Sequence, residues 1–173
     1  CAGGHGEALS TRRGVATRYP AWDARTQKPI DLQARVNTCR GEHQGLEPLA
    51  YENPDLLALT AFIAAQSRGL PMTPPDDVRL DPARAEGRAL FEARQGQLGL
   101  SCAAGHDDHW GRRLGAAEIP QGQPTGYPLY RLEWQGLGSL QRRLRNCLTG
   151  MRAEPFGYGA PEYIALELYL ATR

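Results

Sequence analysis

Apolar positions recur at helical spacing in a few separated stretches, and nowhere do they alternate convincingly enough to predict strands. The clearest stretch follows Asn53-Pro54-Asp55, where Leu56, Leu57, Leu59, Thr60 and Ile63 fall on one side of a helix running from Pro54 to Ala65. Asn and Pro are residue types that open helices, because Asn caps the free N–H groups and Pro lacks one of its own. Arg68-Gly69 ends this stretch. A similar pattern predicts a helix from Glu162 to Ala171, led by Pro161. A third helix is predicted over Asp81 to Gln97, with Leu80, Ala83, Gly87, Leu90, Phe91 and Arg94 near helical spacing and Asp81-Pro82 as its cap and first residue. Leu32 to Glu42 reads as a helix, and so does Ser139 to Cys147, where Leu140, Leu144 and Leu148 share a side. Thr11 to Asp31 and the Gly/Pro-rich Gly111 to Gly126 read as loops, with room for a short helix in the former. The run Leu70-Pro71-Met72-Thr73-Pro74-Pro75-Asp76-Asp77 is a boundary signal.

The order of these elements repeats. Cys1-Ala2-Gly3-Gly4-His5 and Cys102-Ala103-Ala104-Gly105-His106 share one pattern. Each leads to an Arg-containing stretch with a second cysteine, Arg35 to Cys39 and Arg143 to Cys147, and then to a Pro-led apolar helix. All four cysteines stand at equivalent places in two copies of one unit, which implies tandem duplication. The predicted fold is all-α, a pair of duplicated domains with long loops, divided at residues 1–75 and 76–173. The helix predicted ahead of Cys102 has no counterpart ahead of Cys1, so the duplication implies that a matching N-terminal helix of the first domain is missing.

Composition narrows the function. Apolar residues make up 41% of the 173, enough for a packed core. No apolar run reaches the ~18 residues that a membrane-spanning helix requires. A net charge of +1 gives no case for nucleic acid. The basic residues are nearly all Arg, which suits planar contacts to oxyanions better than Lys does. Four cysteines, each in a pattern with His or Arg, are closer to a metal or haem arrangement than to a disulfide scaffold.

A c-type haem is attached through Cys-x-x-Cys-His, two thiols bonding the macrocycle and the His binding iron. Here the second Cys is Gly4 in one copy and Gly105 in the other, with the spacing from first Cys to His intact. One thioether can therefore form through Cys1 or Cys102, with His5 or His106 on the iron. Met72 and Met151 are candidates for a sixth ligand, but only Cys39 and Cys147 have equivalents in both copies. A buried thiol, or a disulfide between Cys1 and Cys39, is the alternative use of those cysteines. Zinc is a competing metal: Cys1, His5, Cys39 and His43 form one Cys₂His₂ set, and Cys102, His106, His109 and Cys147 another. Arg142, Arg143, Arg145 and Arg152 cluster around Cys147, with Arg143 one helical turn before it, where it would favour a thiolate and attract an anion.

Ser101 to Leu170 resembles the SoxA dihaem cytochromes c of bacterial sulfur oxidation. The likeness is carried by Ser101-Cys102-Ala103-Ala104-Gly105-His106-Asp107-Asp108, by Ile119 to Pro128, and by Arg131-Leu132-Glu133-Trp134-Gln135-Gly136 through to Asn146-Cys147. It extends to Tyr19-Pro20-Ala21-Trp22-Asp23, Asn37-Thr38-Cys39-Arg40 and Leu57 to Ala61. The resemblance implies two haems c with His/Cys ligation, by His5 and Cys39 and by His106 and Cys147, the first replaced by a disulfide in some relatives. It implies a periplasmic heterodimer with a smaller SoxX-like monohaem cytochrome. It also implies the activity of an L-cysteine S-thiosulfotransferase, joining thiosulfate to a cysteine of a SoxYZ-like carrier. In that reading Cys147 is the reaction centre and Arg143 holds the sulfonate end, with Arg145 or Arg152 as possible helpers. A dihaem electron carrier without a substrate, and a zinc-stabilised Cys/His interaction module, are the rival readings.

Overall fold

The computed structural model describes residues 6–173. In the first half a short helix α1 (Ala8–Thr11) and a 3₁₀ turn (Ala16–Arg18) lead to a hairpin of β1 (Ala21–Asp23) and β2 (Lys28–Ile30). Helices α2 (Leu32–Gln44) and α3 (Pro54–Ala65) follow. The second half begins with a 3₁₀ turn (Val78–Leu80) that runs into α4 (Asp81–Glu92), then α5 (Cys102–His106). A small hairpin of β3 (Arg113–Leu114) and β4 (Ala117–Glu118) comes next, and a second of β5 (Leu129–Arg131) and β6 (Gly136–Gly138). Helices α6 (Leu140–Gly150) and α7 (Pro161–Ala171) complete the chain.

The five longer helices, α2, α3, α4, α6 and α7, lie where the apolar pattern predicts them, the short α1 and α5 were not foreseen, and side-chain caps explain most of the starts. Asp31 accepts from the Ala34 N–H at 2.7 Å, Ser101 from Ala104 at 3.0 Å and Ser139 from Arg142 at 3.1 Å. Asn53 accepts from Asp55 at 2.9 Å, ahead of Pro54. The largest difference from expectation is in α4. Helix α4 has Leu80 rather than Asp81 at its cap position, and it stops at Glu92 because Ala93 turns extended and leads Gln95 into a bridge with Leu100.

The hairpins are the main departure from an all-α chain. Three two-stranded antiparallel sheets occur among the described residues. Their strands are only two or three residues long, too short to display a period of two. The turns of the two larger ones place Gln27 (φ 53°) and Gln135 (φ 49°) in the left-handed region, where sequence reading looks for Gly or Asn. The two larger hairpins share a layout: β1–β2, a capping Asp31 and α2 carrying Cys39 match β5–β6, a capping Ser139 and α6 carrying Cys147. Tyr19-Pro20 and Tyr127-Pro128, both cis, precede them.

The core of the second half is the packing of α4 on α7. Gly87 makes it possible: a Cβ there would stand 2.0 Å from the Ala165 carbonyl oxygen. One turn on, Phe91 enters a cluster with Leu148, Met151, Tyr163, Leu166 and Leu170, against which Cys102 and Leu144 pack. Each such side chain contributes about 1.5–3 kcal/mol on burial. In the first half α3 buries Leu56, Leu57 and Thr60. The halves meet through a polar seam. Gln141 donates to Asp31 at 2.9 Å, Tyr51 stacks on Tyr158 at 6.3 Å, and the Ser139 N–H donates to Glu52. No described helix is long and apolar enough to cross a membrane.

Candidate functional site

Helix α5 is a single turn whose purpose is to present its two ends. Ser101 caps it and Cys102, at its start, packs against the core cluster. Burial pushes the Cys102 thiol up to about 11, and the neighbouring Cys147 sulfur adds to the effect. Cys147 comes from α6, half-buried, next to the buried Leu148 that anchors its helix to the core.

His106 closes α5, and its ring is fixed on three sides. Its Nδ1 lies 2.7 Å from the Pro120 carbonyl oxygen. A carbonyl only accepts, so Nδ1 carries the hydrogen and Nε2 keeps its lone pair. Phe91 stacks on the ring with centroids 6.4 Å apart. Gly122 lies against another side: a Cβ there would come to 3.1 Å from His106 Cγ, and its φ of +74° favours glycine. A metal-binding imidazole is held in this way, its second nitrogen tied to a backbone acceptor. An imidazole lone pair, a thiol at the start of the same turn and the Cys147 sulfur beside that thiol form a donor set that fits a thioether-attached, His/Cys-ligated haem. They do not fit zinc, since no group of three or more His, Cys, Asp or Glu converges as a metal cage among the described residues. His109 instead places Nδ1 2.6 Å from the Ala104 carbonyl.

The basic cluster expected around Cys147 divides. Arg142 lies over the Trp134 ring at 4.6 Å and pairs with Glu52 at 3.8 Å. Arg145 donates to the Phe156 carbonyl and lies over the Tyr158 ring at 4.6 Å. Both are used by the scaffold, and Arg152 is exposed in the left-handed region (φ 55°). Of the arginines on α6, only Arg143 has a side chain with no hydrogen bond, ion pair or ring contact among the described residues, and its charge is felt at Tyr127, as is that of Cys147. Sequence reasoning missed Pro120, Gly122 and Tyr127. The signals for them were the Gly/Pro density of the Gly111 to Gly126 loop and the resemblance over Ile119 to Pro128, neither of which gives a role to one residue.

In the first half, Cys1 and His5 lie outside the described residues. Cys39 is half-buried on α2, near Tyr19. Arg35, one turn before it, pairs with Asp23 at 3.5 Å. His43 is exposed and stands 4.0 Å from Glu42.

A family model described as the SoxA/TsdA cytochrome c domain matches residues 1–72. The chain is 36% identical over 174 residues to the L-cysteine S-thiosulfotransferase subunit SoxA of Pseudaminobacter salicylatoxidans, covering 100% of this chain and 61% of that protein. It is 35% identical over 173 residues to the subunit of the same name from Rhodovulum sulfidophilum, covering 100% and 60%. The crystal structure of SoxXA from P. pantotrophus superimposes with a TM-score of 0.93 at 34% identity, covering 100% of this chain and 65% of that one. The chain thus spans about three fifths of the length of the curated relatives it matches.

Proposed function

We propose that this chain, by its likeness to the SoxA subunits, is a SoxA-type, haem-dependent L-cysteine S-thiosulfotransferase subunit, which oxidatively joins thiosulfate to a cysteine of a SoxYZ-like carrier. The observation that carries this reading is the second-half site: a His106 ring with its Nε2 lone pair available, and Cys147, a neighbour of Cys102, on a helix whose Arg143 side chain has no partner among the described residues. The cofactor is haem c. Cys102 would attach it through one thioether, Gly105 having no thiol to offer, and His106 and Cys147 would hold its iron. Cys39 has the matching role in the first half, with Cys1 and His5 completing that set. The repeated hairpin, capped helix and Pro-led helix support two duplicated cytochrome c-like domains, residues 1–75 and 76–173.

The haem supplies a one-electron acceptor when bound. Joining a carrier thiol to thiosulfate forms one sulfur–sulfur bond and releases one proton and two electrons. One electron must therefore leave by a second centre, which a SoxX-like monohaem cytochrome provides in a heterodimer. Cys147 presents its sulfur at the half-buried end of the site. Arg143 attracts the sulfonate end of the dianion and orients the outer sulfur toward Cys147. Phe91, Gly122 and the Pro120 carbonyl hold the His106 ring against rotation. The periplasm, where thiosulfate oxidation of this kind operates in the family, is the compartment that the reading assigns.

The test is the visible spectrum of the purified protein with a pyridine haemochrome assay and intact mass. A Soret band, with the haemochrome band displaced by single-thioether attachment, is expected. A colourless protein that contains zinc would overturn the reading.

A further inference from the structure

Helices α4, α5 and α7 are tied together beside His106 by one side chain, that of Arg173. Its backbone follows the last turn of α7, where the Thr172 N–H donates to the Tyr169 carbonyl at 3.0 Å and the Arg173 N–H to that of Leu170 at 3.3 Å. The guanidinium lies over Phe91 of α4, its carbon 4.4 Å from the ring centroid, and 6.0 Å from that of Tyr169 on α7. The same group pairs with the Asp107 carboxylate. Asp107 is the residue after His106, and its N–H closes α5 by donating to the Ala103 carbonyl at 2.8 Å.

Phe91 carries the contact on to the imidazole. It stacks on His106 with the ring planes 28° apart, and it packs tilted on Tyr169 at 5.4 Å. The Arg173 side chain is 19% exposed, so the pair it makes with Asp107 is screened less than one in open water. Arg173 therefore acts on His106 in two ways. It covers the ring that holds the imidazole, and it balances the carboxylate next to the imidazole in the chain.

The first half has no such tie. Gly6 follows His5 as Asp107 follows His106, and it offers no side chain. Gln66 stands twelve residues after Pro54, as Arg173 does after Pro161, and its amide donates to the Phe62 carbonyl at 3.0 Å. The charge pair belongs to the His106 site and not to the layout that the two halves share.

We propose that Arg173 is a positioning residue for His106, holding Phe91 against its ring and neutralising Asp107, so that the Arg173–Asp107 pair sets the potential of the centre that His106 ligates. This rests on the haem reading above. A carboxylate left unpaired there favours the more positive, oxidised iron and lowers the potential, and an unpaired guanidinium raises it.

The experiment uses the haem-loaded chain in complex with its cytochrome partner. Midpoint potentials are read by spectroelectrochemical titration, the His106 centre being the one whose midpoint Cys147→Met moves. Arg173→Gln should lower that midpoint, raising the oxidised-to-reduced ratio at the parent's midpoint about threefold, or about 30 mV. Asp107→Asn should raise the midpoint by a similar amount, and the double variant, with neither charge, should return to within about 1.5-fold of the parent ratio. Arg173→Lys keeps the charge and should also stay within about 1.5-fold. A merely structural role would lower the urea unfolding midpoint without opposite shifts in potential. Unchanged midpoints in folded Arg173→Gln, or shifts of one sign in both single variants, would overturn the inference while leaving the haem reading in place. Where Arg173→Gln does not fold, Asp107→Asn decides: a raised midpoint upholds the inference, and an unchanged or lowered one overturns it. A chain that carries no haem, or one in which Cys147→Met moves no midpoint, would overturn the haem reading, and the inference with it.

Discussion

Asp31 should make this protein less stable as pH rises from about 4 to about 6. Its carboxylate is 3% exposed at the seam between the halves. It accepts from the Ala34 N–H at 2.7 Å, from the Tyr51 hydroxyl at 3.0 and 3.1 Å, and from the Gln141 amide at 2.9 Å. Those hydrogen bonds favour the anion, but burial outweighs them and pushes Asp31 from 3.8 up to about 6. Glu167, on α7 and opening partly onto a cavity of about 880 Å³, is raised well above the usual carboxylate range, first by burial and then by the charge of Asp31. A group whose folded pKa is raised binds its proton more tightly in the folded state. Its contribution is therefore complete below the unfolded value near 4 and is lost as pH rises through about 6. Two pKa units correspond to about 3 kcal/mol, or roughly 6–12 °C in Tm for a chain of this size. Asp31→Asn retains an acceptor for Ala34 and removes the titration, at the cost of the bond from Gln141, which is worth about 1 kcal/mol. Urea unfolding of the haem-loaded protein at half-unit steps from pH 4 to 8 is the assay. The parent should lose about 3 kcal/mol across the window that the Asp31→Asn/Glu167→Gln double variant does not lose. Parallel curves for parent and double variant would refute the reasoning.

Two glycines give further tests. Gly87→Ala places a Cβ 2.0 Å from the Ala165 oxygen and 2.9 Å from Tyr169 Cβ, so α4 must separate from α7, and denaturant unfolding should show a loss of about 3 kcal/mol or more. Gly122→Ala puts a methyl 3.1 Å from His106 Cγ at a φ of +74°. It should cost about 1–2 kcal/mol in stability and, under the proposed ligation by His106, change the Soret band by displacing that ring. Arg143→Lys retains the charge and loses the fork, and steady-state kinetics with carrier should show a raised KM for thiosulfate.

What could be read in the sequence was local. Pro54, Pro161, Asp31 and Ser139 mark helix starts through interactions that span only a few residues, and the structure places α2, α3, α6 and α7 within two or three positions of the expected bounds. The repeated cysteines were equally plain. What escaped was set by contacts distant in sequence. Helical spacing puts Arg142 and Arg145 near Cys147, but nothing in the spacing tells that Trp134, Glu52 and Tyr158 take them up. The support of His106 comes from a loop fourteen or more residues away, through a backbone carbonyl that any residue could provide. The hairpins are too short to show a pattern, so the match between their registers becomes visible only in the structure.

The central claim is that Cys147, and not its counterpart Cys39, is the reaction centre. It is tested most directly by the mass of the carrier protein after incubation with thiosulfate and the haem-loaded complex, for the parent, Cys147→Met and Cys39→Met. The account predicts thiosulfate-conjugated carrier with the parent and, at most of its rate, with Cys39→Met, and none with Cys147→Met despite a six-coordinate haem spectrum. Conjugation undiminished in Cys147→Met, or lost equally in both variants, would contradict it.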